Sequence, residues 1–204
     1  MALNSYSALK ESVAAWLNEA DLAGRIADFI ALAEAVINRR VSHRQMIGVA
    51  CLAFSTDRVA LPDDFVAVRA VRIDTNPTPR LDFMTLDAYA ARDGSASGPP
   101  LRYTVAGGYM LFDPPATAAT TATLIYSRQI APLSENGDNW LLDTYPDAYL
   151  YGALSAAAPY VEDVDRAATW AQLFEKALGE INADGQAQSF GGTIQTHNGQ
   201  ARTY

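Results

Sequence analysis

Apolar positions recur at helical spacing at both ends of the chain and at strand spacing in its middle. Residues 5–17 and 26–40 each predict an amphipathic helix. A second helical pair is predicted over residues 140–181. No charged side chain occurs between residues 148 and 161, and a helix that is apolar on all sides is one that its neighbours cover. We therefore expect a buried helix near the C-terminus.

Two prolines delimit this buried helix. Pro146 suits the first helical turn, where a missing N–H has no consequence. Pro159 predicts a kink or an end, after which apolar residues recur at spacings of 3, 4 and 7 up to Ile181. We expect the N-terminal pair (residues 1–45) and the C-terminal hairpin (residues 133–184) to pack together as a four-helix bundle.

The middle of the chain, residues 46–132, changes to strand periodicity. Five or six short strands and one small helix, with Thr85 at its cap, predict a small antiparallel β subdomain inserted into the bundle. Gly107 and Gly108 fit a tight hairpin turn that needs positive φ. The predicted class is α+β. The strand candidates are residues 47–54, 66–73, 81–84, 103–105, 110–112 and 121–130, with a turn at 61–65.

Residues 185–204 differ from the rest in composition. They contain three isolated large apolar residues among many Gly, Gln and Thr. Such a segment cannot bury enough surface to order itself. Two interpretations stay open: an end without a role, or an extended C-terminal arm that inserts into a partner.

Charge and composition exclude several classes of protein. Fifteen basic and 23 acidic residues give a net charge of −8, which argues against gripping nucleic acid through its phosphates. The single cysteine, Cys51, allows no internal disulfide and is predicted to be a buried small hydrophobe. No apolar window reaches the ~18 residues needed to cross a bilayer, and the first residues do not resemble a signal peptide. We expect a soluble protein without membrane contact.

Several segments in order resemble the adaptor (head-to-tail connector) proteins of tailed bacteriophages, with related connectors in gene transfer agents. The resemblance runs from about Tyr6 to Leu178. It rests on the stretches WLNEADLAGRIADFIALAEAVINRR, LPDDFVAVRAV, SGPPLRYTVAGGYMLFDPP and LIYSRQIAPLSENGDNWLLDTYPDAYLYGALSAAAPYVEDVDRAATW.

The resemblance implies a ring, typically of twelve copies, between the portal and the tail or nozzle of a virion. Double-stranded DNA would pass through it during ejection without specific binding, and an acidic wall would let the duplex slide. The helical part would form the ring wall, the C-terminal arm would bind the portal, and the β part would contact the tail side. The arm residues are Phe190, Ile194, Arg202 and Tyr204, and the tail-side residues are Tyr109 and Met110.

A basic cluster at Arg39, Arg40 and Arg44 has two interpretations. It is either a solvated helix C-terminus favoured by the helix dipole or one side of an ion pair between subunits. In the second case its partners would be acids such as Glu162 or Asp165 of the next subunit.

The candidate chemistry predicts no enzyme, metal or cofactor. His43 and His197 lack neighbours at metal-ligand spacing and are predicted at a surface or interface. Asp63-Asp64 fits a turn, while Asp143 and Asp147 fit helix starts. The predicted function is a structural adaptor in the virion, made in the host bacterial cytoplasm. The alternatives are a tail-associated module that binds a carbohydrate or receptor and, ranked lower, a cell-wall hydrolase with two carboxylates in a cleft.

Overall fold

A computed structural model describes residues 3–18, 20–74, 81–92, 96, 98–135, 137–161 and 164–189. The chain divides into two compact units, one built from residues 1–44 and 131–204 and the other from Gln45–Ile130. Within the described residues there are six α-helices and two sheets of three and four strands, which confirms the α+β class.

The elements follow one another along the chain with these bounds: α1 Tyr6–Leu17, α2 Ile26–Arg40, β1 Ile47–Phe54, β2 Arg58–Ala60, β3 Phe65–Ile73, β4 Asp82–Phe83, α3 Leu86–Ala90, β5 Arg102–Ala106, β6 Tyr109–Asp113, β7 Thr120–Arg128, α4 Trp140–Thr144, α5 Pro146–Ala157 and α6 Val164–Ser189. Short 3-10 turns lie at Ala20–Arg25, Arg44–Met46 and Ala158–Tyr160.

Helix α5 is the centre of the helical unit, formed by residues 1–44 and 131–204. It packs against α1, α2, α4 and α6, and every one of its residues is buried or half-buried. Gly152 lets two neighbours approach closely: a Cβ built there would lie 2.9 Å from Ala33 Cβ and 3.0 Å from Phe174 Cε2. The predicted buried helix is confirmed, with Pro146 in its first turn and Pro159 in the 3-10 turn that follows.

The helix boundaries differ from the prediction in two places. The segment that begins at Trp140 is broken at Tyr145 into α4 and α5, because the extended residue before a proline does not continue a helix. Helix α6 continues to Ser189, so residues 185–189 are helical and not part of an extended arm. Gly185 packs against the backbone of Ser42 and His43, and this contact supports the additional turn.

The sheet unit, Gln45–Ile130, consists of a sheet in the order β1-β7-β3 and a sheet in the order β2-β6-β5-β4. Their pairings are antiparallel except for β4 with β5, which is parallel, so the predicted all-antiparallel arrangement is corrected at that pair. Strand β2 was not predicted, since three residues are too few to show a period. The core of the unit includes the stacked rings of Phe54 and Phe112, whose centroids are 4.2 Å apart.

Two local predictions in the sheet unit are confirmed. Gly107 and Gly108 have φ of 56° and 79° in the turn between β5 and β6, where residues with a side chain would be strained. The Thr85 hydroxyl accepts a hydrogen bond from the Ala88 N–H at 3.2 Å and so caps α3.

Candidate interaction surfaces

Arg40, in the last turn of α2, forms a bidentate pair with Glu175 of α6. Its two terminal nitrogens donate to the two carboxylate oxygens at 2.5 and 2.6 Å. The hydrogen bonds raise the pKa of Arg40 and lower the pKa of Glu175. Arg40 thus has its partner within its own chain, where the sequence suggested an acid of the next subunit.

The other predicted interface residues lie at the surface of the helical unit. Arg39, Arg44 and Asp165 are exposed, and no ion pair joins any of them to another described residue. Glu162 lies outside the described residues. The fold therefore leaves two basic groups and one acid available for contacts with another molecule.

The last turns of α6 contact the end of α2 and the segment that follows it. We call this contact the α6 clamp (residues 40–43, Tyr145, Asn182, Asp184 and Gly185). The Asn182 side-chain oxygen accepts from the Ser42 N–H at 2.8 Å, and its amide nitrogen donates to the Arg40 carbonyl at 3.1 Å. The Tyr145 hydroxyl donates to Asp184. The α6 clamp therefore fixes the point from which residues 190–204 continue.

His43 lies inside this clamp and not at a surface or interface, so that prediction is wrong. Its side chain is buried and stacked on Trp140, with ring centroids 4.9 Å apart. Its Nε2 lies 3.6 Å from Asp184 Oδ2. The packing of α4 against the end of α2 brings the two rings together, a long-range contact that the spacing of histidines does not reveal.

The predicted arm residues Phe190, Ile194, Arg202 and Tyr204 lie outside the described residues, as does His197. The described part of the chain ends at Ser189, the last residue of α6.

The hairpin between β5 and β6 presents only one of the two predicted tail-side residues. Tyr109 is half-exposed, with Arg58 against its ring at 5.5 Å from the centroid. Met110 is fully buried in the core of the sheet unit. Its side chain is therefore not available for a contact, because successive strand residues point to opposite faces.

The three-stranded sheet has a second face whose described residues are mostly exposed, which we call the outer sheet face. Cys51, predicted to be buried, lies on it and is exposed, so that prediction is wrong. Gly48 takes the inward position, packed against the Tyr126 ring. The residues of the outer sheet face are Ile47, Val49, Cys51, Ala67, Arg69, Ala70, Arg72 and Ile125. In the sequence of β1, the alternation of outward and inward residues is apparent if Gly48 is assigned to the inward side.

An apolar groove of about 390 Å³ lies beside the N-terminal half of β3. Phe83 and Tyr103 meet edge to face in its wall, with centroids 5.7 Å apart, and burial raises the pKa of Tyr103. Phe83 is 65% exposed. The groove offers an aromatic surface to a ligand or partner.

The carboxylates considered for catalysis lie in a turn and at the starts of helices. Asp64 lies in the predicted turn and accepts from the Tyr126 hydroxyl at 2.9 Å. Asp143 and Asp147 lie in the first turns of α4 and α5, as predicted. Among the described residues no group of three His, Cys, Asp or Glu side chains is placed to hold a metal ion. No helix in the described ranges is both long and apolar enough to cross a membrane.

Acidic charge is unevenly divided between the two units. Residues 45–130 contain eight acidic and seven basic residues, while the remaining sequence contains fifteen and eight. The net charge is therefore −1 for the sheet unit and −7 for the helical unit, with histidine neutral. An acidic surface on this protein belongs mainly to the helical unit.

Comparison with known proteins gives one family. The SU10 adaptor protein family matches residues 4–197, which include most of both units and part of the C-terminal segment 185–204. No curated protein matches the chain. Because the match covers nearly the whole sequence, the chain belongs to the SU10 adaptor protein family.

Proposed function

We propose that this chain is a structural adaptor of a bacteriophage virion that forms a ring, joins the portal to the tail or nozzle, and surrounds the DNA channel. The observation that carries the proposal is the family match over residues 4–197. The family is one of bacteriophage adaptor proteins, which are structural, and it implies a place in the virion and contacts with portal and tail proteins.

The helical unit is suited to the wall of the ring. We infer that α1, α2, α5 and α6 pack as a four-helix bundle around α5, which contacts each of the other three. The unit also exposes large apolar side chains, including Trp16, Leu32 and Val164. Exposed apolar groups mark surfaces that bind other proteins where they form a contiguous patch.

The charge distribution supports a channel that DNA passes without binding. The helical unit carries a net charge of −7, and carboxylates that face a duplex repel its phosphates. If the helical unit lines the channel, the duplex meets a surface that does not hold it.

The C-terminal arm is the proposed portal contact. Phe190, Ile194, Arg202 and Tyr204 would be its anchors, and the α6 clamp would set where the arm leaves the subunit. One arm per subunit, repeated around a ring, would add avidity to a weak single contact. Tyr109, the half-exposed residue at the hairpin, would contact the tail or nozzle protein.

The proposal is tested by mixing the purified chain with the portal protein of the same particle and measuring the mass of the complex. We expect a ring of copies on the portal, twelve if the resemblance holds. A variant that ends at Ser189 tests the arm, since we expect it to fold with an unchanged thermal midpoint and to lose portal binding. A full-length chain that does not bind portal would overturn the adaptor function, and a shortened chain that binds normally would overturn only the role of the arm.

A second candidate, a tail-associated module that binds a carbohydrate or receptor, is favoured by the groove at Phe83 and Tyr103. Aromatic faces of this kind stack on sugars and apolar side chains. It predicts that Phe83→Ala removes binding to host surface glycans while portal binding is unchanged. A glycan array with the wild-type chain and this variant separates the two functions.

A further inference from the structure

The three-stranded sheet of the sheet unit buries one face and exposes the other. Leu52 and Leu124 point into the core, whereas Val49, 67% exposed, and Ile125 point outward. Val49 is opposite Ile125, and Ile125 is opposite Ala70, so an apolar row crosses all three strands. Exposed β-branched side chains in one continuous row are unusual on a surface that meets only water.

A basic margin borders this apolar row. Arg69 donates to the Ser127 hydroxyl at 2.9 Å, which holds its side chain on the outer sheet face. Arg72, with a side chain 68% exposed, lies 3.4 Å from Asp74 at the end of the sheet. Arg69, Arg72 and Asp74 together carry a net charge of +1, so the outer sheet face is apolar at its centre and weakly basic along β3.

Among the described strands only β7 pairs with β1, and this edge position adds a second reason to expect a partner. Strand β1 is at the edge of its sheet, carries no charged residue, and pairs with β7 over eight residues without a register shift. The opposite edge, β3, is interrupted by two register shifts and carries two arginines. Proteins protect exposed edges with bulges and charges, so β1 is the unprotected side.

The helical unit presents a surface of complementary chemistry, which we call the helical corner (Tyr160, Val164 and Asp165). Tyr160 is half-exposed beside Phe29, and Val164, at the start of α6, is 77% exposed. Asp165 follows in the first turn and is exposed. The corner combines apolar groups with one acid, Asp165, and with Arg25, which lies over the Tyr160 ring at 5.2 Å from its centroid, on the unit whose net charge is −7.

We propose that the outer sheet face of one copy binds the helical corner of a second copy, with Val49 and Ile125 against Tyr160 and Val164. This inference rests on the proposed ring and identifies its subunit contact. Two different surfaces of one chain then meet, which is the head-to-tail arrangement that closes into rings. Arg69 and Arg72 face the acidic unit of the neighbour, and complementary potentials of this kind favour the correct partner. If two outer sheet faces met each other, their basic residues would instead lie close together and repel.

Cys51 gives a direct test, because it is the single cysteine of the chain and lies exposed on the outer sheet face. A benzophenone maleimide attached to Cys51 crosslinks to whatever lies against this face on illumination. The chain that carries the benzophenone is mixed with unmodified chain enriched in ¹⁵N, in one sample without portal and in another with it. The crosslinked products are digested and mapped by mass spectrometry. We expect a mixed-isotope product that joins Cys51 of one copy to the peptide around Tyr160 and Val164 of another.

Variants separate a specific contact from chance collisions. Val49→Asp and Val164→Asp are each expected to lower the yield of this product about tenfold, and Leu86→Asp, on a half-exposed residue at the start of α3, should not change it. Arg69→Glu should lower the yield, and adding Asp165→Arg should restore it. Circular dichroism verifies that each variant is folded.

The outcomes distinguish this inference from the proposed function. If no mixed-isotope product forms in either sample, or if the product joins Cys51 to residues 45–130, the contact is wrong. Portal binding is measured by mass in the same samples. A portal-bound ring without the crosslink overturns the contact alone, whereas the crosslink without portal binding overturns the proposed function alone.

Discussion

The Tyr145 hydroxyl donates a hydrogen bond to Asp184 Oδ2 at 2.5 Å, and so joins the start of α5 to the end of α6. This hydrogen bond is the main cause that raises the pKa of Tyr145 to about 12, with burial and the negative charge of Asp184 adding to it. The same carboxylate lies 3.6 Å from His43 Nε2. Three residues distant in sequence thus meet at the base of the proposed arm.

The raised pKa of Tyr145 predicts a loss of stability at high pH. The unfolded chain releases the tyrosine proton near its usual pKa of about 10, whereas the folded chain holds it to about pH 12. The stabilisation is therefore complete below pH 10 and declines as the pH rises toward 12. Urea unfolding between pH 8 and 12 should show a shallower decline for Tyr145→Phe than for the wild-type chain. Tyr160→Phe, at an exposed ring, is the matched control, and equal slopes for all three proteins would contradict the prediction.

Gly152→Ala should destabilise the helical unit. The added methyl would meet Ala33 at 2.9 Å and Phe174 at 3.0 Å, and overpacking of this kind reduces the free energy of unfolding by about 1–2 kcal/mol. Gly179→Ala is the matched control, since no atom lies within 4 Å of the new Cβ in α6. It should stabilise the chain by about 0.5–1 kcal/mol, the usual gain of Ala over Gly in a helix. Denaturant titration measures both, and a stabilising Gly152→Ala would show that α5 can shift away from its neighbours.

Asn139→Ala should remove a buried polar junction. The Asn139 side chain accepts from the Leu142 N–H at 3.0 Å and donates to the Ala131 carbonyl at 2.6 Å and the Tyr149 hydroxyl at 2.8 Å. Loss of a cap together with buried hydrogen bonds lowers the free energy of unfolding by about 2–4 kcal/mol. Ser5→Ala, which removes only the partly buried cap of α1, should lower it by about 1 kcal/mol. If calorimetry gives the same loss for both variants, the buried bonds contribute nothing.

Charge reversal at Arg39 and Arg44 should weaken ring formation on the portal. Both side chains are exposed, and if they meet acids of the next subunit, Arg39→Glu with Arg44→Glu replaces attraction by repulsion. The defect should be largest at low salt, where surface charges are least screened. Arg40→Gln, which loses only the pair with Glu175, is the control and should form rings normally. Normal assembly of the double reversal at low salt would leave these residues as a solvated helix end.

The helical periodicity at the two ends of the chain predicts the helices well, because each buries one face or, for α5, every face. Turn chemistry is equally informative at Gly107 and Gly108, where positive φ is required. These features depend on neighbours close in sequence. The bounds of α6 are less predictable, since its last turns are held by Ser42 and His43 across the unit.

The interaction surfaces are less predictable, because they depend on contacts between distant segments. Cys51 stands in an uncharged run that hides which side of β1 faces the core. His43 is buried because Trp140 reaches it from another helix, and Arg40 is paired because α6 places Glu175 beside it. Sequence patterns identify such residues as candidates but do not determine their partners.

The α6 clamp has a mechanical consequence for the tail that follows it. Asn182 is hydrogen-bonded to the Arg40 carbonyl and the Ser42 N–H, and Gly185 packs against Ser42. Tension that reaches these residues along α6 is therefore shared with the end of α2. A load applied through the C-terminal end of α6 would thus be resisted by both helices.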